Sequence, residues 1–361
     1  FPHSPLHAGR RSTPSTPRRT RGDATLVLGV RERARCVKQQ QQQHEQPHKE
    51  PVARSLSMSA FRTDYLRITP SSSGSAIARA EDWWRYDGAV RAFGGQTVAH
   101  CVLAAIRQAP AGWSCHSIHT HFLRGGLMVD TRYEVTPLRV GRTYSVYRVR
   151  AIEIEGDHEI AHAVVSFHDE VKERENGAPR LHTARMPPGA STCGDDGVTR
   201  TLQRAGVESW PGCEPADGSG LRWRLSWPSE MAGALNTDAR RVAAIAFLSD
   251  LRFIWAAHVP HQDKYAIAMI TSLDHTLHFH GAAFATGDTS VLYQMESPFA
   301  GEGRGLVRGW MWDEVSGALL ATTVQEGVLR VLPAVEPAEP DRTNMIDDTE
   351  KGERSTVRSK L

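Results

Sequence analysis

Disulfide chemistry has little to work with in this chain. Its five cysteines (Cys36, Cys101, Cys115, Cys193 and Cys213) are odd in number, widely spaced and contain no C-x-x-C pair. That argues against a disulfide scaffold and against a zinc knuckle. No run of about 18 apolar residues occurs, so no membrane span is expected. An excess of one charge is missing too: a net charge of +2 over 361 residues gives no electrostatic case for nucleic acid or an anionic membrane as partner. A G-x-S-x-G elbow is absent, and Gly218-Ser219-Gly220 has the wrong spacing to replace it, which removes the usual signature of a nucleophilic serine.

The charge that is present is unevenly placed. Residues 1–57 carry 11 Lys and Arg against 4 Asp and Glu, with repeated Ser-Thr-Pro and the run Gln39 to Gln43. This composition reads as a disordered basic extension, with Met58 as the working start. A mitochondrial presequence suits the arginines but not the prolines and glutamines. An RNA-binding arm would interleave aromatic residues with its cations, and none follows Phe1. At the other end, residues 333–361 read as a flexible tail carrying Ser359-Lys360-Leu361, a peroxisomal address read by an import receptor. The matrix of the peroxisome is the expected location.

Between the ends, one pattern occurs twice. Phe93-Gly94-Gly95-Gln96 opens a small, apolar helix running to Ile106, and strand signals follow at His116–Arg124, Thr131–Leu138, Thr143–Glu155 and Glu159–His168. A second apolar helix, Arg241 to Asp250, precedes strands at Thr271–His280, Val291–Ser297, Gly305–Trp312 and Leu319–Leu329. Details recur as well: His116-x-x-His119-x-His121 is echoed by His275-x-x-His278-x-His280. The chain therefore reads as a duplicated helix-plus-sheet unit, with boundaries at 58–168 and 221–332 and a Pro- and Gly-rich linker at 169–220. The two glycines before the first helix either form a plain strand-to-helix turn or let a ligand approach free N–H groups there.

Polar chemistry concentrates on the second unit. Asp250 ends a buried helix, Ser272 lies on the next strand and Gln325 sits in the β-branched strand Ala321–Arg330, so packing of helix on strands would bring the three together. A half-exposed strand with a wet outer face accounts for Thr271–His280 without any function. Leu248-Ser249-Asp250, Ser272-Leu273-Asp274-His275, Glu296-Ser297-Pro298 and Val324-Gln325-Glu326-Gly327, together with Phe93-Gly94-Gly95-Gln96, His116-Ser117-Ile118-His119 and Phe122-Leu123-Arg124, follow in the order of a known family. Over roughly residues 80–332 the chain resembles the acyl-CoA thioesterase II family.

The resemblance implies an α+β tandem (double) hot-dog, two antiparallel sheets each wrapped on a helix. It also implies hydrolysis of fatty acyl-CoA to free acid and CoA without a metal or redox cofactor, by a homo-oligomer. Asp250, Ser272 and Gln325 match the family's catalytic positions. A carboxylate can act as general base on a water, a hydroxyl can donate and accept, and an amide can orient the water without taking its proton. Backbone N–H groups at a helix start are expected to hold the oxyanion. Gly94, Gly95, Gln96 and His119 are expected to line the acyl or CoA channel, and Asp274 to fix its strand. Ser272 as nucleophile stays open, although His275 is an odd number of positions away and faces the other side of a strand. No metal is expected, because only the i and i+2 histidines of each H-x-x-H-x-H set share a strand face. An enoyl-CoA hydratase and a non-catalytic CoA-thioester binding module are the alternative readings. The chain departs from the family at Gly125-Gly126-Leu127 and at 281–290, loops that shape substrate entry.

Overall fold

Small residues in two helices and strict alternation in the strands generate the architecture. The computed structural model describes residues 65–333 except 72–73, 86–89, 178, 188–211, 217–218, 220, 227–234 and 281–289. The basic extension 1–57 and residues 334–361, with the targeting tripeptide, lie outside the described residues. The chain enters as β1 (Thr69–Pro70) and β2 (Ser75–Ala78), followed by α1 (Gly94–Ile106), β3 (Ser114–Phe122), β4 (Thr131–Val140), β5 (Tyr144–Glu153) and β6 (His158–His168). A short α2 (Glu170–Glu175), then β7 (Gly212–Pro215) and β8 (Arg222–Ser226), lead to α3 (Asp238–Leu248). The second half continues with β9 (Tyr265–Ser272), β10 (Asp274–Phe279), β11 (Ser290–Gly301), β12 (Arg304–Asp313) and β13 (Leu319–Pro333).

Burial follows from composition. Every residue of α1 from Gly95 to Ala105 is buried, as is every residue of α3 from Val242 to Leu248. Helices apolar all round have no face for water and must be enclosed. They are enclosed by each other and by the inner sheet residues, including Ile118, Val149, Val165, Leu277, Tyr293 and Val307, in a single core cluster. The helices approach closely because Gly95 has no side chain: a Cβ there would lie 2.4 Å from the Phe247 carbonyl oxygen.

Neighbouring strands run antiparallel in the order β1-β2-β4-β5-β6-β3-β10-β13-β12-β11-β8-β7, with β9 also paired to β13. Read outward from the middle, β3-β6-β5-β4-β2 repeats as β10-β13-β12-β11-β8, each half preceded by its helix. This is the tandem hot-dog arrangement. The halves join where β3 pairs β10, with Ile118 opposite Leu277. The histidine pattern repeats at a spacing of 159 residues, and Ile118 and Leu277 are separated by the same 159. Each therefore faces its own repeat mate, which puts the axis of the internal two-fold between these two fully buried side chains.

Several boundaries differ from the expectation. The strand read as Thr271–His280 is two strands broken at Leu273, and the first begins at Tyr265. The second long helix stops at Leu248, with Ser249 as its C-cap, so Asp250 lies in the following turn and not in the helix. The segment 169–220, read as a Pro- and Gly-rich linker, contains α2 and β7. β7 is the four-residue edge Gly-Cys-Glu-Pro, which has no β-branched residue and no alternation to betray it.

Because Leu277 is fully buried on the axis that joins the halves, Leu277→Ala is expected to lower unfolding stability by about 2–5 kcal/mol. Urea denaturation measures this. A midpoint unchanged from wild type would mean that the β3–β10 seam is not packed as described.

Candidate active site

Three elements deliver the polar residues. The turn after α3 carries Asp250, and it is held open by Arg252, which adopts a positive φ of 61° with its guanidinium 5.1 Å over the Trp223 ring. Ser272 ends β9, next to the break at Leu273. That break is tied on both sides, since Leu273 N–H donates to the Glu326 carbonyl at 2.9 Å and the Leu273 carbonyl accepts from Phe122 N–H at 2.9 Å. Such a break re-aims a strand's side chains. Here it leaves Ser272 facing Gln325, which is fully buried at the centre of β13.

The three side chains meet. Gln325 Nε2 donates to Asp250 Oδ1 at 2.6 Å and to Ser272 Oγ at 3.1 Å. The amide nitrogen must face the carboxylate, because the opposite orientation would set two oxygen lone pairs against each other. Asp250 and Ser272 both line a cleft of about 520 Å³, whereas Gln325 lies behind them and its Oε1 is buried without a hydrogen-bond partner. The amide thus orients the two residues that face the cleft, instead of touching its contents as the sequence reading expected.

Burial dominates the chemistry of Asp250. It raises the carboxyl from 3.8 to about 6, against the opposing effects of the Gln325 amide and of a backbone hydrogen bond from Gly95. Near neutral pH the group is ionised yet basic enough to take a proton. The source of that last hydrogen bond is the start of α1. A Cβ on Gly94 would come within 2.7 Å of Asp250 Oδ2, so only glycine lets the helix start reach the carboxylate. Phe93 offers no side-chain cap to this helix, which leaves its first N–H groups turned toward the cleft.

Beneath the site runs a buried polar network that sequence reasoning missed. Ser249 Oγ lies 2.7 Å from His275 Nε2 and donates to the Ala246 carbonyl at 2.8 Å. With the hydroxyl proton used in that way, His275 must donate from Nε2. Burial pushes its pKa down to about 3, so the imidazole is neutral throughout the working range. The Tyr293 hydroxyl donates to the Ser249 carbonyl at 2.9 Å and lies 2.8 Å from Thr323 Oγ1. Ser249 and His275 stood inside quoted motifs, but nothing in the sequence pointed to Tyr293 or Thr323.

The other expected residues divide. Gly94 lines the cleft, and Gly95 reaches it through its N–H. Gln96 does not: its amide donates to the carbonyls of Tyr65 (3.0 Å) and Asp82 (2.8 Å) and accepts from Trp84 N–H (2.8 Å), all structural bonds. Two residues along a helix is a rotation of about 200°, which turns Gln96 away from the face that Gly94 presents. His119 also lies elsewhere. It is exposed, 3.3 Å from Thr276 Oγ1 and edge-on to His278, while Phe122, three positions on and therefore on the other face of β3, lines the cleft. Asp274 accepts from Glu326 N–H at 2.9 Å and fixes the backbone beside Gln325. Among the described residues no three His, Cys, Asp or Glu side chains converge as a metal site, and no helix is long and apolar enough to cross a membrane.

Comparison with known proteins bears on the family and the fold. Residues 80–168 match the acyl-CoA thioesterase N-terminal domain and residues 171–329 the acyl-CoA thioesterase C-terminal domain. The chain is 30% identical over 304 residues to human acyl-coenzyme A thioesterase 8, covering 77% of this chain and 91% of that protein. It is 29% identical over 258 residues to acyl-CoA thioesterase 2 of Haemophilus influenzae, covering 66% and 87%. Among solved structures, a tesB protein from Mycobacterium avium subspecies paratuberculosis has the same fold, with a TM-score of 0.57 at 23% identity over 74% of this chain and 97% of that one. With both of its halves matched, in order, by the two thioesterase domains, the chain belongs to the acyl-CoA thioesterase II family.

Proposed function

We propose that this protein hydrolyses fatty acyl-CoA to free fatty acid and CoA, using Asp250 and Ser272 to hold the attacking water and Gln325 to hold both of them. The observation that carries the reading is the single amide nitrogen bonded at once to the carboxylate and the hydroxyl in the cleft wall. Family membership favours thioester hydrolysis over the hydratase and the non-catalytic binder.

The chemistry follows from which protons are free. Ser272 Oγ accepts from Gln325, so its own proton is available to hold the oxygen of a water in the cleft. Asp250 takes a proton from that water as its oxygen bonds to the thioester carbonyl carbon. The carbonyl oxygen gains negative charge, which the positive end of α1 stabilises. Collapse of the tetrahedral intermediate breaks the C–S bond, and the departing thiolate recovers the proton from Asp250. His275 supplies no base, because burial lowers its pKa to about 3 and its Nε2 is bonded to Ser249.

The C-terminal Ser359-Lys360-Leu361 supports delivery to the peroxisome, the setting expected for this reading. A tagged chain lacking 359–361 is then expected to stay in the cytosol on microscopy, and unchanged punctate targeting would remove the assignment.

Two measurements test the site. In a thiol-release assay on palmitoyl-CoA, Asp250→Asn is expected to reduce kcat by about 10²–10⁴-fold. Wild-type kcat/KM should climb with unit slope to about pH 6 and then level. A variant as fast as wild type ends the assignment of Asp250. Stability should move the other way. Because the folded pKa lies above the unfolded one, the native state binds the extra proton between pH 3.8 and about 6, and wild-type stability falls as pH rises through that window. Asp250→Asn has no charge to bury, so at pH 8 it should exceed wild type by on the order of 1–3 kcal/mol, with the gain vanishing near pH 4. Denaturant midpoints at the two pH values check this, and a variant less stable at both would contradict it.

A further inference from the structure

The internal two-fold makes two clefts of equivalent position but different polar lining. The first, already described, lies where the start of α1 meets the end of β3 and the turn after α3. Its counterpart, of about 460 Å³, lies where the start of α3 meets the end of β10 and the turn after α1. Among the described residues the counterpart is lined by no lysine or arginine, and its two carboxylates, Glu170 and Asp238, are already paired with Arg174 and Arg241. Moreover, Thr237 caps α3 there by accepting from Arg240 N–H at 3.3 Å, so that helix start is not left open as α1 is. The first cleft has Arg91 and Arg124 at its rim and Asp250 as its one lining carboxylate.

Neither arginine is used up by the fold. No described carboxylate pairs with either, although most arginines of the sheet surface, such as Arg132, Arg150, Arg304 and Arg308, do find one. Both are nonetheless anchored. Arg91 Nη1 donates to the Gly125 carbonyl at 2.6 Å, Ala92 N–H to the Gly126 carbonyl at 2.9 Å, and Arg124 N–H to the Ile160 carbonyl at 3.4 Å. Two guanidinium groups on clamped backbone, at the mouth of a cleft whose interior does the chemistry, suit a substrate with its reactive carbon at one end and several phosphates at the other.

We infer that Arg91 and Arg124 bind the phosphates of the nucleotide half of CoA and thereby make this cleft, and not its counterpart, the one that selects CoA thioesters. The inference rests on the thioesterase reading and adds to it the handle by which substrate is recognised. It also gives the departure at Gly125-Gly126-Leu127 a consequence, because that loop supplies the carbonyl that fixes Arg91.

The test compares two thioesters with the same acyl group, acyl-CoA and acyl-pantetheine, the second of which has no phosphate. Arg124→Gln is the clean single variant, since no side-chain partner is lost, and Arg91→Gln/Arg124→Gln is the double. The ratio of kcat/KM for acyl-CoA to that for acyl-pantetheine should fall on the order of tenfold in the double variant, with the loss in KM, and Arg124→Lys should recover part of it. Raised ionic strength should lower the ratio in wild type more than in the double variant. A ratio equal in wild type and double variant overturns the arginine assignment alone. A wild type that releases thiol from neither substrate overturns the reading of the cleft on which it rests.

Discussion

Everything in the proposed site depends on how near the start of α1 comes to the end of α3. Gly95 lets its helix pass 2.4 Å from the Phe247 carbonyl, measured to the position a Cβ would take, and Gly94 leaves Asp250 Oδ2 room at 2.7 Å measured likewise. One contact thus serves two purposes. It packs the helices that fill the core, and it sets the positive end of one helix beside a carboxylate just past the other. A side chain at either position would separate the helices and remove the N–H groups from the place where a carbonyl oxygen gains charge. The glycines are better understood as clearances than as flexible links, since both have ordinary helical surroundings and neither needs a left-handed φ.

A buried carboxylate is unfavourable, and the surrounding structure offsets only part of the cost. Gln325 and Gly95 each favour the charged form, yet burial still raises the group to about 6. Full compensation would have produced a stable, unreactive carboxylate with a low pKa. The partial compensation leaves a group that is charged at neutral pH and willing to be protonated. The orphaned Gln325 Oε1 belongs to the same compromise: turning the amide to satisfy that oxygen would take Nε2 away from both Asp250 and Ser272. Below, Ser249, His275, Tyr293 and Thr323 fix the turn with neutral groups only, so they restrain Asp250 without adding a charge that would shift it further.

The helix-plus-sheet repeat was legible because its signals are strong ones, namely runs of alternation, glycine punctuation and two apolar helices. That Asp250, Ser272 and Gln325 could meet followed from packing a helix on strands, and only the resemblance gave them a shared role, since residues 75 positions apart share no local pattern. What failed did so for local reasons. Gln96 stands beside two cleft glycines in sequence but faces away on the helix, and His119 falls on the wrong side of a strand whose last residue, Phe122, lines the cleft. The break at Leu273 was invisible because Thr271–His280 alternates well enough to pass for one strand. Tyr293 could not be found at all: an inward tyrosine on β11 is ordinary core until its hydroxyl is seen to end on Ser249.

Duplication by itself would give two equal sites, and the differences between the clefts show how one of them was made distinct. The seam is symmetric to the residue, with Ile118 facing Leu277, but β9, which ends on Ser272, has no counterpart among the described residues of the first half. A further difference enters through side chains at the two helix starts. Thr237 closes the N–H groups of α3 against its own helix, whereas Phe93 cannot close those of α1. A capped start stabilises a helix by about 1 kcal/mol, and at α1 the acceptor comes from outside the helix, where Asp250 takes the Gly95 N–H. The clefts differ in charge as well: Glu170 and Asp238 at the capped one pair with Arg174 and Arg241, whereas Arg91 and Arg124 at the other have no described carboxylate partner. The fold supplies two clefts, and the side chains at the two helix starts set them apart.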